Sequence, residues 1–283
     1  MSHPHVEHPV PLRRNATRQS ASIPARLVAE GAFHLLPIYG LLTLSDLARE
    51  GITNSGSYTF ADHLYRSEAV GRLVVGRWLD AALMRMPAGR AFRRRYIRAR
   101  DAMHAAVCAW PAAAPVRVLT VPCGIPRDVV EMAAMIERDD PARRIHYVGM
   151  DIDPQALRAA RAFVAGSALP TAEFHCGDAL RREHYPSGRF HVASSTGLGE
   201  FLDDADLETL CRSVFDVLEP GGTFFISATA RDRGSDLLLR MIELETHYRS
   251  QRELEAIVKR LPWRRLTFVV DATGLQSYAT LMK

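Results

Sequence analysis

From residue 116 to the C-terminus the chain alternates short apolar runs with stretches of helical spacing, and this alternation constrains the fold more than any other feature of the sequence. Residues 116–121, 145–150, 172–176, 190–194 and 223–227 read as short strands. Between them, residues 128–137, Pro154–Val164 and 204–218 have helical spacing, the second opened by a proline in its first turn. Helix is predicted again over 235–260. Two last runs, 266–271 and 276–282, flank Gly274 and read as a β-hairpin. Strands separated by helices cannot pair through tight turns. They need crossovers, which give a parallel sheet with helices on both faces. The closing hairpin adds one reversed strand. The expected fold is therefore α/β, a seven-stranded, mostly parallel sheet with an antiparallel terminal strand.

The N-terminal part has a different texture. Residues 1–22 carry Pro, His, Ser and Arg without apolar periodicity and are expected to form a disordered tail, with His3, His5 and His8 belonging to it rather than to a metal site. Residues 23–111 are expected to form a helical cap that helps to hold a substrate. Leu27, Val28, Leu35 and Leu36 begin one apolar stripe, and Val70, Leu73, Val74 and Trp78 another. Residues 51–57 read as a linker, 87–89 as a helix break and 112–115 as the boundary to a Rossmann-like domain over 112–283. Trp78, Trp110 and Trp263 are assigned to core packing.

Composition excludes several classes. A net charge of +4 is mild for a nucleic-acid binder. The four cysteines form no Cys-x-x-Cys pair and no zinc spacing, which points to reduced thiols, no metal and a cytoplasmic protein. No apolar run reaches the roughly 20 residues of a membrane span, and the N-terminus lacks the apolar core of a signal peptide.

The chemistry-bearing residues fall at the carboxyl ends of successive strands, the edge where open α/β sheets bind ligands. Pro122, Cys123 and Gly124 make a turn after the first strand, ahead of helix amides. Asp151 and Ile152 follow the second strand, where a carboxylate can accept from both hydroxyls of a ribose. Asp153 reads as the cap of the next helix. Gly177, Asp178 and Ala179 follow the third strand, and Ser195, Thr196, Gly197 and Glu200 the fourth. Leu218-Glu219-Pro220-Gly221-Gly222 precedes the fifth.

In this order the chain resembles class I S-adenosylmethionine-dependent methyltransferases, over about residues 112–283. The resemblance implies S-adenosylmethionine as cofactor. Its methionine part would lie at Pro122, Cys123 and Gly124, its ribose at Asp151 and Ile152, its adenine at Asp178 and Ala179, with Ser195, Thr196 and Gly197 completing the site. Of the family's acid-x-Gly-x-Gly-x-Gly motif only Gly124 remains; Thr120, Pro122 and Pro126 stand at the other positions. The same stretch lacks the Gly-x-Gly-x-x-Gly of a dinucleotide site, which counts against a nucleotide-dependent oxidoreductase.

For the transfer itself, Glu200, His63 and Tyr65 are the candidate catalytic groups. Tyr39, Arg94, Arg98 and Tyr248 are candidate substrate contacts. Arg90, Arg94 and Arg98 repeat every four residues on one helix face and suit a phosphate or diphosphate, such as a prenyl diphosphate. A helical cap suits a small-molecule acceptor better than a polymer. The alternatives are an RNA methyltransferase and a non-catalytic cofactor-binding protein of the same fold. No membrane partner is expected, and a homodimer is left open.

Overall fold

In a computed structural model, residues 16–53, 58–111, 115–167, 169, 171–232 and 246–283 are described. The chain divides into two compact units, one of residues 1–86 and 234–244, the other of residues 87–233 and 245–283.

The first unit is helical. It contains α1 (Ala16–Ala29), α2 (Leu36–Leu42), α3 (Asp46–Thr53), α4 (Tyr58–Arg66) and α5 (Leu73–Arg85). Ile23, Leu27 and Ile52 are buried together, with Leu35, Leu36 and Tyr39 packed against them. A fully buried carboxylate ties α3 to α5: Asp80 accepts from Ser45 Oγ at 2.5 Å, from the Leu47 amide at 3.3 Å and from the Gly71 amide at 2.7 Å. Three donors on one acid offset the cost of burying it.

Three expectations change here. Residues 16–22, read as tail, begin α1, because Ala16, Gln19 and Ala21 are adequate helix formers and Ile23 and Leu27 anchor the helix. Residues 51–53 end α3 rather than open a linker, because Ile52 is a core residue; residues 54–57 lie outside the described residues. Trp78 is 76% exposed and Leu73 73%, so the second predicted stripe is a surface and not a core.

The second unit holds the sheet. Its strands are β1 (Val116–Thr120), β2 (Ile145–Asp151), β3 (Ala172–Cys176), β4 (Phe190–Ser195), β5 (Leu218–Thr229), β6 (Arg265–Val270) and β7 (Gln276–Met282). They lie in the order β3-β2-β1-β4-β5-β7-β6, with β7 antiparallel to both neighbours. The seven strands and the reversed last one are as the sequence led us to expect. Chain order reverses between β1 and β4, which opens a crevice at their carboxyl ends.

Helices α6 (Pro87–Ala109), α7 (Arg127–Asp139) and α8 (Pro154–Val164) cover one face; α9 (Asp204–Val217) and α10 (Gln251–Val258) cover the other. The sheet unit therefore begins at Pro87, not at residue 112. Residues 87–89, read as a helix break, instead open α6 with proline at its first position, and the break falls at Met86. Ala91, Arg95, Ala99, Met103 and Val107, four residues apart, make its buried face. Arg90, Arg94 and Arg98 lie on the exposed face. Of the helix expected over 235–260, α10 is present and residues 246–250 are extended or irregular; residues 233–245 lie outside the described residues.

Candidate active site

The turn after β1 is tied to the end of β2. The Cys123 amide donates to Met150 O at 2.8 Å, and the Gly124 amide to Asp151 Oδ2 at 3.0 Å. Gly124 has φ +46°, a conformation in which a side chain would be strained. These two amides are spent on β2, and Pro122 has no amide hydrogen. What this turn can offer a ligand is carbonyl oxygen, suited to an ammonium group.

Thr120 stands where the resembled motif carries its acid. Its hydroxyl is 2.7 Å from Tyr147 OH, both buried. Gly149 makes room for this pair: a Cβ there would come within 2.9 Å of Tyr147 OH and of Phe174, and 3.0 Å of Cys123 Cβ.

Asp151 is 7% exposed. Its Oδ1 accepts the Asp153 amide at 2.9 Å and its Oδ2 the Gly124 amide. Burial raises its pKa, against those amide bonds, which lower it. Each oxygen keeps a second lone pair, so the carboxylate can still accept from two hydroxyls. Asp153 caps α8, its side chain accepting the Gln155 amide at 2.8 Å, as expected. At the end of β3 the Asp178 amide donates to His184 Nδ1 at 3.1 Å, and Asp178 Oδ1 accepts the Leu180 amide at 2.9 Å. Ala179 O accepts Tyr185 OH at 2.8 Å.

Beyond β4 the Ser195 side chain is buried, and its hydroxyl has no hydrogen-bond partner. Glu200 is held differently from a general base. Its Oε1 accepts from Arg95 Nη1 and from Thr229 Oγ1, and Thr229 Oγ1 in turn accepts from Gln276 Nε2 at 2.7 Å. Glu200, expected to take a proton from substrate, has its Oε1 occupied by these two protein donors instead. The repeat of Arg90, Arg94 and Arg98 does not single out Arg95. The four-residue stripe of Ala91, Ala99, Met103 and Val107 around it was the signal that it points inward.

Arg94 is also accounted for, 3.6 Å from Asp271 Oδ2, and Arg98 is exposed. Tyr248 lines an open cleft of about 560 Å³ with Asp204, Ala230, Arg231, His247 and Glu253. Tyr39, His63 and Tyr65 belong to the helical unit. Burial raises the Tyr39 pKa, and His63 Nε2 lies 3.2 Å from Glu68 O.

Residues 118–222 match the family model described as a methyltransferase domain, and they run from β1 through β4 to the first residues of β5. The matched segment is a methyltransferase domain, consistent with the class I, S-adenosylmethionine-dependent superfamily. Solved structures share this fold at low identity. A possible exported protein from Bordetella parapertussis is 20% identical with a TM-score of 0.78, covering 98% of this chain and 99% of its own. Magnesium protoporphyrin IX methyltransferase from Synechocystis, with bound S-adenosylhomocysteine, is 11% identical with a TM-score of 0.53, covering 80% and 94%. The S-adenosylmethionine-dependent methyltransferase SibL, in its apo form, is 15% identical with a TM-score of 0.50, covering 91% and 77%. No curated protein matches the sequence.

The residues present fit the family's cofactor. Asp151 keeps acceptor capacity for a ribose, the β1 turn offers carbonyls for an ammonium, and the Ser195 hydroxyl is a buried polar group without a partner. Among the described residues no group of three or more His, Cys, Asp or Glu could hold a metal ion, and no helix is long and apolar enough to cross a membrane.

Proposed function

We propose that this protein transfers a methyl group from S-adenosylmethionine to a small polar acceptor. The observation that carries the reading is Asp151: a buried carboxylate at the end of β2, oriented by two backbone amides and able to accept two more hydrogen bonds. Bound at this edge, the cofactor would supply a sulfonium methyl open to in-line displacement. The chain's own contribution is alignment and exclusion of water. Asp151 and Ile152 hold the ribose, Asp178 and Ala179 the adenine, the carbonyls of Pro122, Cys123 and Gly124 the methionine end, and Ser195, Thr196 and Gly197 close the site.

The acceptor enters the cleft bounded by Ala230, His247 and Tyr248. It opens just beyond the end of β5, and the His247 amide donates to Glu200 O at 2.8 Å, which places it beside the loop after β4. Its volume is within the range of small-molecule sites. Asp204 and Glu253 balance Arg231 and Arg249 in the lining, which favours a polar acceptor of small net charge over a prenyl diphosphate. Arg94, paired with Asp271, is no preformed phosphate clamp.

The test is calorimetric titration with S-adenosylmethionine and S-adenosylhomocysteine, with NADH as control. Micromolar binding of the first two alone is expected. Asp151→Ala is expected to weaken it by about 1.5–3 kcal/mol, the worth of a hydrogen bond to a charged group. Unchanged binding in that variant would remove Asp151 from the ribose site.

A further inference from the structure

The loop after β4 is gripped from three separate parts of the chain, one of them backed by a fourth, beyond what its own hydrogen bonds require. From α6, Arg95 reaches the Glu200 carboxylate. From the end of β5, Thr229 reaches the same oxygen, and from the start of β7, Gln276 reaches Thr229. From residues 246–250, Arg249 Nη1 and Nη2 donate to Gly199 O and Leu202 O, each at 2.6 Å, while its Nε donates to Asp204 Oδ1 at 2.9 Å. Arg95 and Arg249 are 2% and 3% exposed. Gly197, with φ +83°, lies directly against the first of them: a Cβ would meet Arg95 Nη2 at 2.9 Å.

Two buried arginines set against one short loop are costly, and apolar residues of similar volume would stabilise the fold as well. What apolar contacts cannot do is fix a loop in one register, because they lack direction. A guanidinium fork meeting a carboxylate and carbonyls does so.

We propose that Arg95, Glu200, Thr229 and Gln276 form a positioning chain that presets residues 195–197 for the cofactor, with Arg249 bracing the far side of the loop. The inference rests on the proposed cofactor site and deepens it. Glu200 acts through the backbone it anchors and touches neither methyl nor acceptor. The same anchors run on toward the acceptor cleft, because the Arg249 amide donates to Thr229 O at 2.8 Å and His247 to Glu200 O. A loosened Glu200 would therefore disturb both sides of the transfer.

The experiment uses the full chain, hydrogen exchange and titration with S-adenosylhomocysteine. Thr229→Val removes one donor without unpairing Arg95 from Glu200, so it is expected to fold. In it, amides of residues 196–202 are expected to exchange at least ten-fold faster and S-adenosylhomocysteine to bind three- to ten-fold more weakly, while amides of β1 and β2 keep their protection. Thr229→Ser, which restores the hydroxyl, is expected to return both readouts to the wild-type values. Glu200→Gln serves as a second variant, with the same pattern expected as for Thr229→Val. The proposal is overturned if both variants leave exchange at 196–202 unchanged, if the protection lost is spread evenly over the sheet, or if Thr229→Ser behaves like Thr229→Val. Failure of the unaltered protein to bind S-adenosylhomocysteine would sink the cofactor reading instead, and the exchange pattern would still decide whether the chain fixes the loop.

Discussion

Two acids stand at the carboxyl edge of the same sheet, on either side of its switch point, and they are held in opposite ways. Asp151, after β2, is oriented by backbone amides that leave a lone pair on each oxygen for a ligand. Glu200, after β4, is held by side chains, including a full positive charge that is itself buried. The difference teaches that strand-end position alone does not assign a role. An acid held by neutral amides keeps its negative charge available to a ligand; one matched to an arginine has its charge already answered and works as an anchor.

The largest way to break this contrast is to unpair the anchor. Arg95→Met leaves a carboxylate 13% exposed and without its cation, which should cost about 3–5 kcal/mol in denaturant unfolding. Adding Glu200→Leu should recover most of that loss. A double variant no better than the single one would mean that the pair is not the source of the cost.

Gly197→Ala probes the same spot from the backbone side. Its φ of +83° and the 2.9 Å approach to Arg95 predict a loss of about 1–2 kcal/mol, larger than for alanine at Gly166, where nothing lies within 4 Å. Equal losses at the two positions would show that Arg95 does not crowd the loop.

A third acid sharpens the comparison at the Asp151 side. Asp128, in the first turn of α7, accepts the Val129 amide at 2.9 Å, but burial pushes its pKa from 3.8 to about 6. The folded chain therefore binds more protons than the unfolded one between those values. Stability falls as pH rises through that window and levels off above about 6. Asp128→Asn is expected to be more stable than wild type by about 1 kcal/mol near neutral pH, allowing for partial exposure, and equal to it below about pH 4. Thermal melts at the two pH values check this, and an advantage that persists in acid would point to a cause other than charge.

The smallest effect is expected far from the edge. Trp78→Ala removes a side chain 76% exposed and should change stability by less than about 0.5 kcal/mol. A larger loss would return Trp78 to the core, where its helical spacing had placed it.

That tryptophan marks the limit of what spacing conveys. Periodicity located α5 correctly but could not say which face met a neighbour, since Leu73, Val74 and Trp78 suit a core or a surface equally. In the sheet unit the strands and helices after residue 116 were legible because both faces of a parallel sheet are buried and its strands are short apolar runs bounded by turns. Asp151, Gly177 and Asp178 were legible as candidates for a related reason: ligands meet such sheets at the carboxyl ends of strands, so position along the chain marks the candidate site, whereas the turn at 218–222 lies at the other edge, where β5 begins.

The sequence by itself determined the α/β order, the reversed last strand and the row of candidate cofactor residues, because each depends on neighbours close in the chain. Only the tertiary structure decided that α6 belongs with the sheet, that one arginine of its basic run points inward, and that Glu200 is an anchor. Those facts depend on groups brought together from residues 95, 200, 229 and 276, and pairing across such separations leaves no local pattern to read.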